Sequence, residues 1–304
     1  MMHDVRSAGQ PQASTAPPGL KPAAPNLLEQ VWTGDRSEAS GERRPARCSV
    51  LHEVKSVGAP FFWPYPRWIA HRGAGKLAPE NTLAAFKLGA KYGFRMFECD
   101  VKLSLDDVLF LLHDATLERT TNGHGGARAQ SWQLLSQLDA GAWHSPAYTG
   151  EPLARFDTIA RYCLAHGHFL NIEIKPTPGL ETVTGTALAH AAAHLWKDAA
   201  VPPLLTSFKP DCLQAAKRAE PQLPRGLLLD QLTPDWLETA VALGCAAVVC
   251  NYRLWDETTV AQVQKAGLKA LSYTVNDAAS VQKLLALGTD GIITDRVDLF
   301  NTNA

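Results

Sequence analysis

Residues 67–101 read RWIAHRGAGKLAPENTLAAFKLGAKYGFRMFECDV, and the fold class turns on this stretch. A short apolar run, Arg67–His71, predicts a strand. Thr82–Tyr92 carries apolar residues at helical spacing and is closed by Gly93, the type of residue that ends helices in a left-handed turn. A second apolar run, Arg95–Val101, predicts the next strand. The same texture continues outward. Further strands are expected at Phe169–Lys175, Leu204–Phe208, Gly226–Leu229, Ala246–Asn251, Leu268–Val275 and Gly291–Thr294. Amphipathic stretches such as Leu180–Trp196, Pro234–Leu243, Glu257–Ala266 and Ala278–Leu287 separate them, and Gly167, Gly244, Gly267 and Gly288 repeat the helix-ending signal. Eight strands alternating with helices predict an α/β fold, a (β/α)8 TIM-type barrel. An open doubly wound sheet fits less well, because no Gly-x-Gly-x-x-Gly follows the first strand.

One unit breaks the alternation. A further extended run, Val108–His113, follows the second strand and leads into residues 114–152, which are weakly periodic and rich in Gly, with Trp132, Trp143 and Tyr148. They are expected to form a small insertion capping the barrel mouth, where loops on a rigid scaffold commonly carry specificity. Residues 1–60 are rich in Pro, Ala, Ser and Gly without period, and are expected to form a flexible extension ahead of a barrel domain spanning residues 61–304.

The chain of 304 residues is 46% hydrophobic with a formal net charge of -1, enough apolar material for a large core and no basic field to recruit nucleic acid. Any phosphate recognition must therefore be local. The six cysteines contain no C-x-x-C pair and are expected to be reduced thiols. No apolar run approaches a membrane span, and the first residues lack the order of a secretory signal. Together these predict a cytoplasmic protein without stable membrane insertion.

Active sites of parallel barrels lie at the carboxyl ends of the strands. There the first strand ends in His71-Arg72-Gly73, the second carries Glu98-Cys99-Asp100, the extra run ends in His113-Asp114, and the next strand carries Glu173-Ile174-Lys175. Residues i and i+2 on a strand share a face, so Glu98 and Asp100 point together, as do Glu173 and Lys175. Three carboxylates within about 4 Å would repel by roughly 4 kcal/mol per pair at an effective dielectric near 20. They need a cation between them, protons on them, or neutralisation by Arg72 and Lys175. All-oxygen ligation selects a hard ion, Mg2+ or Ca2+. With one such ion the group carries a charge of about +1, which complements a phosphodiester monoanion. Histidine suits both proton transfers that cleavage of a diester requires.

At these residues the chain resembles the glycerophosphodiester phosphodiesterase family. The matching runs are Ile69-Ala70-His71-Arg72-Gly73, Ala78-Pro79-Glu80-Asn81-Thr82, Glu98-x-Asp100-Val101, His113-Asp114 with Leu117-x-Arg119-Thr120-Thr121-x-Gly123, and Glu173-Ile174-Lys175. Thr274-Val275-Asn276 and Ile293-Thr294-Asp295 are similar to the family's closing strands. The resemblance implies that His71 and His113 form an acid/base pair, and that Glu98, Asp100 and Glu173 hold one Mg2+ or Ca2+. It also implies that Arg72 and Lys175 hold the phosphate, and that Tyr273 stands as a flat substrate-binding wall where the family often carries Trp. The substrate would be a small glycerophosphodiester, cleaved through attack of its own neighbouring hydroxyl to give sn-glycerol 3-phosphate and an alcohol. Two other readings are compatible with the pattern: a lysophospholipase D-like enzyme acting on lysolipids, and a non-catalytic glycerophosphodiester-binding protein. No oligomeric state follows from it.

Overall fold

Along the second strand, Met96–Leu103, successive side chains belong to two environments. Met96 joins an apolar plug with Ile69, Leu204, Val249, Leu271 and Ile293, whereas Phe97, Cys99 and Val101 pack into a larger cluster with helix residues such as Phe86 and Ile159. The two-residue period of the strand thus separates a barrel interior from a strand–helix layer.

The computed structural model describes residues 63–300. The strands there are β1 (Trp68–Ala70), β2 (Met96–Leu103), β3 (Leu109–Leu111), β4 (Phe169–Ile174), β5 (Leu204–Ser207), β6 (Arg225–Leu229), β7 (Ala247–Asn251), β8 (Lys269–Tyr273) and β9 (Gly291–Thr294). All except β3 are parallel to their neighbours, and the pairing of β1 with both β2 and β9 closes them into the expected eight-stranded barrel. β3 turns back antiparallel on β2, from Val101 opposite Leu111 to Leu103 opposite Leu109.

The helices are α1 (Leu83–Lys91), the short α2 (Trp132–Leu135), α3 (Phe156–Ala165), α4 (Glu181–Leu195), α5 (Pro210–Ala219), α6 (Trp236–Ala242), α7 (Glu257–Lys265) and α8 (Ala278–Ala286). Side-chain caps start several of them. Thr82 accepts from the Ala85 N–H, Asp256 forms a reciprocal capping box with Thr259, and Asp277 accepts from Ser280. The five glycines expected to end helices all have φ between 64° and 90°.

Several strands stop short of the expected bounds, β1 and β8 for a local reason. His71 still donates its N–H to Thr294 O at 3.0 Å, but Arg72 at φ 51° turns the chain out of the ladder. Past Tyr273, Val275 bonds to Ile293 O, so the chain leaves β7 and bends towards β9. Residues 114–152 contain α2, two 3-10 turns and a small core of Leu117, Ala127, Leu135 and Ala140 set against Phe110 and Leu153. The expected extension over residues 1–60 lies outside the described residues. Cys99, Cys163, Cys212, Cys245 and Cys250 are buried and unpaired.

Helices α4 and α5 approach so closely at Gly185 that a Cβ there would sit 2.4 Å from the Cys212 carbonyl oxygen. Replacing a helical glycine by alanine ordinarily stabilises by about 1 kcal/mol. Here the opposing contact is backbone, and overpacking of this kind costs about 1–3 kcal/mol. Gly185→Ala is therefore expected to lower the midpoint of thermal and urea unfolding; a raised midpoint would show that the two helices separate freely.

Candidate active site

The loop leaving β1 is built to hold one imidazole still. Arg72 and Asn81 both adopt positive φ, at 51° and 61°, a conformation unusual for residues with side chains and commonly concentrated at functional sites. Gly75, also at positive φ, lies so close to the end of β9 that a Cβ would be 2.2 Å from Asp295 Cα. This close seating brings His71 Nδ1 to 2.7 Å from Asp295 Oδ1. Asp295 is fixed in turn by Asn276, whose Nδ2 donates to Oδ2 at 2.9 Å while its Oδ1 accepts the Asp295 N–H. The other ring nitrogen, Nε2, lies 3.8 Å from Glu98 Oε2.

Parallel register places the acids. Asp100 on β2 lies opposite Glu173 on β4, and Glu98 lies opposite Asn171, all on the interior face. Glu98, Asp100 and Glu173 each offer an oxygen within 4.8 Å of the others, and all three are buried. Asp100 accepts from Asn81 Nδ2 at 2.8 Å and lies 3.2 Å from Arg72 Nε and 3.6 Å from Lys175 Nζ. Against the cost of burial, those cations hold its carboxyl at about 2. Glu98 is pushed well above the usual carboxylate range by burial and then by Asp100 and Glu173. Glu173, raised by burial and by Asp100 although Lys175 sits at 3.1 Å, comes to about 7. The two cations thus satisfy Asp100 and leave Glu98 and Glu173 short of positive charge. A buried, all-oxygen donor set with a deficit of this kind fits a hard divalent cation.

His113 arrives from the opposite direction, just after β3. Its Nδ1 is 2.7 Å from Asp114 Oδ1, and burial followed by Arg72 lowers its pKa despite the opposing pull of Asp100. Asp114 is gripped by Arg119 through Nε at 2.6 Å and Nη2 at 3.0 Å. The same guanidinium donates to both oxygens of Glu80 at 2.8 Å, and Glu80 accepts from Arg72 Nη1 at 2.7 Å.

These groups meet at a cavity of about 180 Å3 whose walls include His71, Arg72, Glu98, His113, Glu173 and Tyr273. Asp100 lies beneath it, 1% exposed. Lys175 reaches it through Glu173 and Asp100 rather than by lining it. Tyr273 donates its hydroxyl to Leu229 O and sets its ring edge-on to Phe208, so the aromatic surface is what it offers. All eight residues singled out in the sequence are therefore gathered at one rim. Residues 114–152 contribute Arg119, Trp143 and His144 to a second cavity of about 410 Å3, which shares His71 and Arg72 with the first.

Sequence reasoning left several participants without a role. Asp295, Asn276 and Arg119 were visible only as parts of motifs. Asn171, two residues before Glu173 on the same face, could have been found from the strand period. It is 1% exposed, lines the cavity, accepts from Thr206 at 2.9 Å, and its Nδ2 has no hydrogen-bond partner among the described residues.

A parallel barrel with carboxylate-backed histidines and an acidic triad at its mouth has the groups of a barrel enzyme site. Residues 71–299 match the model of the glycerophosphoryl diester phosphodiesterase family, and the chain belongs to that family. A glycerophosphodiester phosphodiesterase of Caldanaerobacter subterraneus subsp. tengcongensis is 31% identical over 232 residues, which cover 75% of this chain and 93% of the relative. An Oleispira antarctica phosphodiesterase solved in complex with the product sn-glycerol-3-phosphate is 32% identical, with a TM-score of 0.71, and the match covers 78% of this chain and 94% of that one. A glycerophosphodiester phosphodiesterase of Agrobacterium tumefaciens str. C58 is 26% identical with a TM-score of 0.65, covering 79% of this chain and 100% of the other.

The raised carboxyls set a pH dependence. Glu173 has a folded value of about 7 against an ordinary 4.5, so its proton stabilises the cation-free fold at low pH. That contribution is lost as pH rises through about 7. A cation held by these carboxylates would compete for the same oxygens and would have to displace the protons. Apparent Mg2+ or Ca2+ affinity is therefore expected to rise between about pH 5 and pH 8, with proton release on binding. Calorimetric titration in buffers of different ionisation enthalpy measures both, and an affinity flat across that window would remove Glu173 from the cation's ligands.

Proposed function

We propose that the chain hydrolyses glycerophosphodiesters to sn-glycerol 3-phosphate and an alcohol, with one Mg2+ or Ca2+ held by Glu98, Asp100 and Glu173. The observation that carries this reading is the pairing of both histidines with aspartates through Nδ1, each at 2.7 Å, with both imidazoles in the wall of the cavity that Glu98 and Glu173 also line. Such pairing sets the tautomer and leaves Nε2 for proton transfer. Family membership and the product-bound relative support the substrate class.

In this reading His71 Nε2 takes the proton from the glycerol hydroxyl next to the phosphorylated carbon. The oxygen–phosphorus bond forms as the bond to the alcohol breaks, and His113 protonates the departing oxygen. Water then opens the cyclic phosphate with the two histidines exchanging roles. The attacking hydroxyl is already tethered to the phosphorus, an advantage equivalent to about 10⁵ M or more in favourable cases. Arg72 and Lys175 supply positive charge to the phosphoryl oxygens, and the aromatic surface of Tyr273 closes one side. When bound, the cation adds Lewis-acid stabilisation of those oxygens.

Residues 61–304 form the catalytic domain in this reading, with residues 114–152 as its cap. The buried free thiols fit a reducing, cytoplasmic setting. Among the described residues no helix is long and apolar enough to cross a membrane.

The test follows glycerol 3-phosphate release from glycerophosphocholine. Chelator is expected to abolish it and Mg2+ or Ca2+ to restore it; full activity after exhaustive chelation would end the cation assignment. His71→Ala and His113→Ala should each lower turnover by about 10² to 10⁴. The 2-deoxy analogue should bind comparably and turn over far more slowly; equal turnover would mean that water attacks directly.

A further inference from the structure

We propose that Arg119 is a positioning residue for His113, fixing the imidazole's orientation from the insertion and tying it to the phosphate-side Arg72. The inference rests on the reading of His113 as proton donor to the leaving alcohol.

Arg119 is 45% exposed, and an isolated ion pair at such a position contributes little. Its geometry is of another kind. One guanidinium donates four hydrogen bonds of 2.6–3.0 Å, two to Asp114 and two to Glu80. These two carboxylates belong to different parts of the chain. Asp114 carries His113 on one of its oxygens, and Glu80 carries Arg72. An unbroken chain of charged groups therefore runs from His113 through Asp114, Arg119, Glu80 and Arg72 to Asp100.

The backbone beneath Arg119 is prepared for this task. Leu117 is buried in the insertion's own core, and Thr120 and Thr121 are buried beside it. Thr121 closes the turn by donating both its N–H and its hydroxyl to Leu117 O, at 3.1 and 2.7 Å. A turn pinned on both flanks presents one charged side chain to the rim.

Removing Arg119 would leave Asp114 and Glu80 without their shared cation. Asp114 could then rotate, and His113 would lose the fixed acceptor that keeps its Nδ1 occupied and its Nε2 available to the cavity. A lysine cannot reproduce a fork that serves two carboxylates at once.

The experiment compares two substrates. Glycerophosphocholine has a poor leaving group that needs a proton, whereas sn-glycerol 3-(4-nitrophenyl phosphate) departs as a stable phenolate. Arg119→Ala and Arg119→Lys are expected to lower kcat for glycerophosphocholine by about 10–100-fold, the usual effect of removing a partner that orients a functional side chain. Single-turnover release of nitrophenolate, which precedes ring opening, should stay near wild type, and KM for glycerophosphocholine should change far less than kcat. His113→Ala should show the same selectivity, and adding Arg119→Lys to it should cost little more. If Arg119→Ala does not fold, Arg119→Lys decides, since it keeps the charge.

Selective loss in His113→Ala with no selective loss in the Arg119 variants would overturn the positioning role and leave His113 as the acid. Equal loss of single-turnover alcohol release from both substrates in His113→Ala would instead overturn the acid reading, and this inference with it. Arg128→Ala removes a different ion pair of the insertion, to Asp107 at 2.8 Å, and should leave the substrate ratio unchanged. The same selectivity in that variant would assign the effect to loosening of the insertion and overturn the role of Arg119.

Discussion

Three carboxylates forced together on adjacent parallel strands are the constraint to which the rest of the rim responds. Register sets Asp100 beside Glu173, and the strand period adds Glu98 on the same face. Burial removes the water that would otherwise screen them, so each neighbouring charge becomes expensive. The chain answers with Arg72 and Lys175 around Asp100, and with Asn81 turned to positive φ so that its amide can donate to the same carboxylate. Glu98 and Glu173 are left demanding protons or a cation. The strained loop after β1 and the tight glycines within it are local costs of meeting that demand.

The two histidines are backed alike at Nδ1 and unlike one step farther out. Behind His71, Asp295 is held by a neutral amide, Asn276. Behind His113, Asp114 is already engaged by a guanidinium. In the proposed mechanism, a carboxylate not shared with a guanidinium suits the imidazole that accepts a proton, and one already shared suits the imidazole that gives its proton away. That asymmetry agrees with His71 as base and His113 as acid.

The insertion has its own small apolar core and yet reaches the rim with charged and aromatic side chains, Arg119, Trp143 and His144. His144 also meets the Lys76 carbonyl at 3.0 Å, so the insertion is held to the β1 loop at more than one point. A segment with its own apolar core can vary its surface without disturbing the barrel.

Alternating apolar runs and helical stretches, several of them closed by glycine, determine the barrel, because strand and helix periods are local properties and a left-handed terminator needs no distant partner. The same local rules place Glu98 with Asp100 and Glu173 with Lys175, since i and i+2 share a face whatever surrounds them. His71 and His113 were legible as imidazoles at strand ends. What His71 faces was not: Asp295 is 224 residues away, and only barrel closure through β9 brings them to 2.7 Å. Glu80 and Arg119 are 39 residues apart and meet only because the insertion folds back over the β1 loop. Such pairings depend on closure and register, which are set by the whole chain at once, and so the partners that orient the site belong to the tertiary structure alone.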